Sequence, residues 1–89
     1  LRELARELAR RPELAVVVEG HTCNVGPADV NLELSRRRSQ AVRDYLAGRP
    51  GVDGSRVRAV GRGENDPEFG NDTKFGRAMN RRVVIRLER

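Results

Sequence analysis

The sequence predicts an α/β fold, a two-layer sandwich with helices packed on one face of a small mixed β-sheet. Three observations carry that expectation. Residues 14–19, LAVVVE, form a nearly continuous valine-rich run, the pattern of a central strand buried on both faces. Two stretches with helical spacing flank it. Near the end of the chain, Val83, Ile85 and Leu87 alternate with Arg82, Val84 and Arg86, a strand with one face toward the core and one toward water.

In chain order, Leu1, Leu4, Ala5, Leu8 and Ala9 mark one face of an amphipathic helix over residues 1–11, ended by Pro12. The central strand follows. A turn-rich loop over residues 20–33 holds Gly20, Gly26 and Pro27, with Asn24 and Asp29 as turn formers or caps. Ser35 is the expected N-cap of the main helix, which ends near Gly48 to Gly51. A short strand is expected over residues 56–61, with Val57 and Val60 apolar. An irregular loop over residues 61–72 comes next, including a turn at Asp66-Pro67. Thr73 can cap a short helix running through Met79. Right-handed crossovers then place both long helices on one side of the sheet. Ligands in such folds sit beyond the carboxyl ends of strands, which here means residues 20–24.

In the main helix, Leu34, Arg38, Ala41, Val42, Tyr45 and Leu46 follow the spacing of a buried face, so Arg38 stands where an apolar residue is called for. A guanidinium is almost never buried without a partner. Arg38 is therefore expected to point into a polar pocket under the loop, where an anion can reach it.

Composition narrows the function classes. Eighty-nine residues make one small domain that buries roughly 60% of its unfolded surface. With hydrophobic residues at 37% it fills one thin core. Aromatic residues make up only 3%, which removes the base-stacking platforms of single-stranded nucleic-acid binders. The net charge of +5 comes from arginine, with Lys74 the only lysine. Arg36, Arg37, Arg38 and Arg43 on one helix permit a nucleic-acid surface, but a solvated helix face explains them without one. Cys23 is the only cysteine, so an intrachain disulfide is impossible. His21 and Cys23 supply two metal ligands where zinc wants three or four, and as a nucleophile pair they lack an orienting third group. No cofactor, metal or enzymatic role is expected.

Three segments, GHTCNVG at 20–26, NLELSRRR at 31–38 and NDTKFGRAMNRRV at 71–83, stand in an order and spacing that resembles the C-terminal domain of the OmpA/MotB family, which includes peptidoglycan-associated lipoprotein. The likeness runs from about Val16 to Leu87. It implies a single domain over residues 1–89 whose first family strand is missing, as in an N-terminally truncated domain. It further implies a periplasmic module that binds peptidoglycan noncovalently through the diaminopimelate of the stem peptide, anchoring the outer membrane or an envelope complex to the cell wall. Any membrane contact would run through parts of the protein outside this chain, and nothing in the sequence sets an oligomeric state.

Diaminopimelate presents an ammonium and a carboxylate on one carbon. In the family an aspartate takes the ammonium and an arginine takes the carboxylate. The resemblance assigns the arginine to Arg38 and adds Thr22, Asn31, Asn80 and Arg81 as pocket residues. The aspartate position holds Cys23. A thiol is a weak, uncharged hydrogen-bond partner at neutral pH. Losing one partner of a desolvated charge pair costs about 3–5 kcal/mol, so binding is expected to weaken unless Asp29 or Glu33 reaches in as a substitute. The alternative is a scaffold or interaction domain of the same fold that has lost the wall ligand.

Overall fold

The computed structural model describes residues 1–65 and 81–88. The short helix expected over residues 73–79, the Asp66-Pro67 turn and the site candidate Asn80 lie outside the described residues.

Helix α1 (Arg2–Arg10) leads into strand β1 (Ala15–His21), then helix α2 (Ala28–Ala47), a 3-10 turn (Gly54–Arg56), strand β2 (Val57–Gly63) and strand β3 (Val83–Glu88). The sheet order is β2-β1-β3. β1 runs parallel to β2 and antiparallel to β3, so the sheet is mixed and the valine run is central, as its composition predicts. One face packs Val16, Val18 and Val57 against Leu8 of α1 and Leu46 of α2, with Ala5 and Val52 completing the core.

β1 buries its other face too. Val17, Glu19 and His21 are all buried there. The Glu19 carboxylate accepts from Arg86 Nε at 2.7 Å and from Arg62 at 3.2 Å, so the outer arginines of both neighbouring strands neutralise it. Its pKa is held below the ordinary value by the Arg86 hydrogen bond foremost, against the opposing effect of burial.

Two sequence expectations for α2 are corrected. The helix starts at Ala28, seven residues before the expected cap at Ser35, with Pro27 as N-cap. Proline at φ −64° in extended conformation enters a helix without wasting an amide. Ser35 lies inside the helix, where its hydroxyl donates to Leu32 O at 2.7 Å.

The buried row is also rotated, by roughly 60° at 100° per residue. Asn31, Ser35, Ser39 and Leu46 face inward, with Val42 half-buried, while Leu34, Arg38, Ala41 and Tyr45 are exposed. Glycines in the sheet explain this choice. A Cβ on Gly20 would lie 2.2 Å from Ser35 O, and one on Gly61 would lie 2.8 Å from Ser35 Oγ. The helix backbone approaches so closely that only small side chains fit between. Hydroxyls are tolerated at this interface because the helix's own carbonyls accept from them, as Arg36 O does from Ser39 Oγ at 3.0 Å.

Strand β2 continues two residues past the expected end at Gly61. A bulge at Gly20/His21 lets His21 pair with Gly63, which adopts φ +59°.

Candidate ligand-binding site

β1 ends by handing its ladder to the loop. Thr22 N donates to Gly63 O at 2.9 Å, and Thr22 and Cys23 are both buried. Gly63 N in turn donates to Ser35 Oγ at 2.9 Å. These bonds tie the end of the central strand, the end of β2 and the first turns of α2 into one rigid corner.

Asn31 is the hub of that corner. Its Nδ2 donates to Val25 O at 3.0 Å and to Cys23 O at 3.3 Å, and it meets Glu64 Oε2 at 3.3 Å. Buried, this amide fixes the loop by satisfying the loop's carbonyls. From the start of β3, Arg81 brings Nη1 to 3.8 Å from Cys23 Sγ. Four of the expected residues therefore gather here: Thr22, Cys23, Asn31 and Arg81. Among the described residues the buried Thr22 hydroxyl has no hydrogen-bond partner, which leaves it a donor and acceptor for a ligand.

Arg38 is not enclosed. It lies on the exposed flank of the buried row, which corrects the expectation that it points under the loop. The rotated helix moved it outward, and a guanidinium in water needs no internal partner. It lies seven residues beyond Asn31, hence about 10 Å further along α2 and only about 20° away in direction. Its neighbours on the helix are committed elsewhere. Arg37 Nε pairs with Glu33 at 3.2 Å, and Arg43 donates to Val57 O at 3.0 Å and Gly54 O at 2.8 Å.

The two carboxylates named as substitutes at the aspartate position are turned away by helical geometry. Asp29 and Glu33 each point about 160° away from Asn31. Asp29 Oδ1 accepts from Val30 N at 2.9 Å, and Glu33 is the partner of Arg37. Sequence reading missed Glu64, the carboxylate that does reach the hub. The spacing of Gly61 and Gly63 was the available signal: alternate glycines in a strand mark a close backbone approach, which extends β2 and brings Glu64 to the corner.

The OmpA family model matches residues 1–81. Over 88 residues the chain is 47% identical to outer membrane porin F of Pseudomonas aeruginosa, covering 99% of this chain and 25% of that protein. Over 85 residues it is 41% identical to the peptidoglycan-binding protein ArfA of Mycobacterium tuberculosis, covering 96% of this chain and 26% of that protein. The chain thus spans about a quarter of the length of these curated relatives. The crystal structure of the peptidoglycan-associated lipoprotein from Burkholderia pseudomallei superposes with a TM-score of 0.90 at 28% identity, covering 98% of this chain and 73% of that one. In sequence motifs, sheet order and helix placement alike, the chain belongs to the OmpA family.

Proposed function

We propose that this domain binds peptidoglycan noncovalently, holding the diaminopimelate of the stem peptide at the corner built by Thr22, Cys23, Asn31 and Arg81, with Arg38 and Asn80 completing the site. The observation that carries this reading is the convergence of donors and acceptors around Asn31 at the carboxyl end of the central strand, with Arg81 beside it. A ligand with an ammonium and a carboxylate on one carbon needs both kinds of partner within a few Å. Arg38, exposed and aligned with Asn31 along α2, is free to take the carboxylate in a bidentate pair. Relatives named for peptidoglycan binding and for the peptidoglycan-associated lipoprotein support the same ligand class.

In this reading the domain is a binding module rather than an enzyme. It works in the periplasm, where it anchors the outer membrane or an envelope complex to the wall. Membrane attachment lies outside this chain, and nucleic acid is not a partner. Cosedimentation with sacculi whose stem peptides contain diaminopimelate tests it. The parent domain should pellet with the sacculi, and Arg38→Ala should lose at least tenfold in retained protein. Equal retention of the two would remove this pocket from consideration.

One observation favours a second reading. Cys23 is a buried thiol at the position where the resemblance implies an aspartate, which suits an interaction domain that no longer holds the wall ligand. Absence of any chemical-shift change with millimolar diaminopimelate would select it.

A further inference from the structure

We propose that Glu64 supplies the anion for the ligand's ammonium, taking over the task that the Cys23 thiol cannot perform. The inference rests on the wall-ligand reading above and names a residue which that reading does not contain.

Three observations lead to it. The first is position. Glu64 follows Gly63 directly, and Gly63 is pinned on both sides, its N–H donating to Ser35 Oγ and its carbonyl accepting from Thr22 N, each at 2.9 Å. The carboxylate is thus held by the same corner that holds Thr22 and Cys23, and it reaches the Asn31 amide that also binds Cys23 O. The second is charge. In this arginine-rich chain Glu7, Glu19, Glu33, Asp44 and Glu88 each meet an arginine. Glu64 is half-buried, and no arginine among the described residues pairs with it. A partly desolvated carboxylate without a cation is a poor resting arrangement and a good site for an incoming one.

The third is stoichiometry of hydrogen bonds. Asn31 Nδ2 carries two hydrogens and faces three acceptors, at 3.0, 3.3 and 3.3 Å. One acceptor is always under-served. An ammonium brings three donors of its own and satisfies Glu64 without stripping the loop carbonyls from Asn31. Arg81, placed at the Cys23 sulfur, stays available to the carboxylate end of the ligand. The site then keeps one anion and its guanidinium groups, with the anion moved from the loop after β1 to the turn after β2.

Calorimetric titration with a stem tripeptide ending in diaminopimelate tests this, using the parent, Glu64→Gln, Cys23→Asp and the double variant. Glu64→Gln should weaken binding tenfold or more in the parent. It should cost threefold or less in the Cys23→Asp background, where the loop again carries a charge. Acetylating the free amine of the diaminopimelate should weaken binding to the parent by a similar factor, an arm that needs no protein variant. The proposal is overturned if Glu64→Gln binds within twofold of the parent, or if acetylation costs the parent nothing. Should the parent itself fail to bind, the wall-ligand reading falls and this inference falls with it. Binding by the parent with a silent Glu64→Gln discards Glu64 alone.

Discussion

Cys23 occupies a position where burial and charge compete. It is buried, and among the described residues its sulfur meets one polar group, a guanidinium nitrogen of Arg81 3.8 Å away. A carboxylate there would sit beside Arg81 and close to the Asn31 amide, so it would be paired from the moment it was introduced. Cys23→Asp is therefore expected to fold, and to tighten binding of a diaminopimelate-containing peptide about tenfold or more. The gain should be smaller than a desolvated pair would give if Glu64, which shares the Asn31 amide with the Cys23 carbonyl, takes part in holding the ammonium as proposed. Titration of the two proteins side by side checks this; an unchanged affinity would mean that the loop position contributes nothing to recognition of the ammonium. Glu19 makes the contrasting case. It is a buried carboxylate with two arginines on it, and it is spent on the fold.

At the scale of elements, the junction of α2 with the sheet decides where the site residues point. Its tightness comes from glycine on the strands and serine on the helix, a pairing that leaves no apolar signature. Hydrophobic periodicity accordingly selected the wrong row of α2, putting Leu34, Arg38 and Tyr45 inside when Asn31, Ser35 and Ser39 are there. The strands were legible because valine runs and alternation report burial directly. The helix start was not, since Pro27 caps α2 through backbone geometry without a side-chain hydrogen bond. Motif spacing named Thr22, Cys23, Asn31 and Arg81, which lie together at one corner, whereas the arrival of Glu64 at that corner depended on how far β2 extends, which only the strand register reveals. The close approach is itself testable. Gly20→Ala places a methyl 2.2 Å from a helix carbonyl that cannot yield without moving α2. It should destabilise the domain by about 1–3 kcal/mol or more, read from urea midpoints. An unchanged midpoint would mean that α2 sits further from the sheet than described.

Across the whole molecule, much of the positive charge is structural. Arg56 donates to the carbonyls of Leu8, Arg11 and Leu14 and so caps the end of α1, at 2.5, 2.6 and 2.8 Å. Arg43 does the same for the segment entering β2, and Arg58 pairs with Glu88 across the sheet. Part of the net charge of +5 is carried by Arg43 and Arg56, whose guanidinium groups bind the chain's own carbonyls. A further arginine contact predicts acid sensitivity. Glu19 titrates below its ordinary value of 4.5 in the folded state, chiefly because Arg86 bonds its charged form. The unfolded chain therefore binds the proton first as pH falls. This contribution to stability is complete above about pH 5 and declines below about pH 4.5, as acid approaches the depressed folded value. Glu19→Gln should flatten the loss of stability between pH 5 and the acid limit, measured by urea unfolding at several pH values; parallel pH profiles for the two proteins would show that Glu19 is not a source of it.

If this domain is a wall anchor, a small zwitterion from the cell wall occupies the corner between β1, β2 and α2. Calorimetric titration of the parent domain with the diaminopimelate tripeptide, set against the same peptide carrying lysine in its place, tests that occupancy with the fewest intermediaries. Saturable one-to-one binding of the first, with at least tenfold preference over the second, is the predicted result. No heat with either peptide, or equal affinity for both, would contradict it.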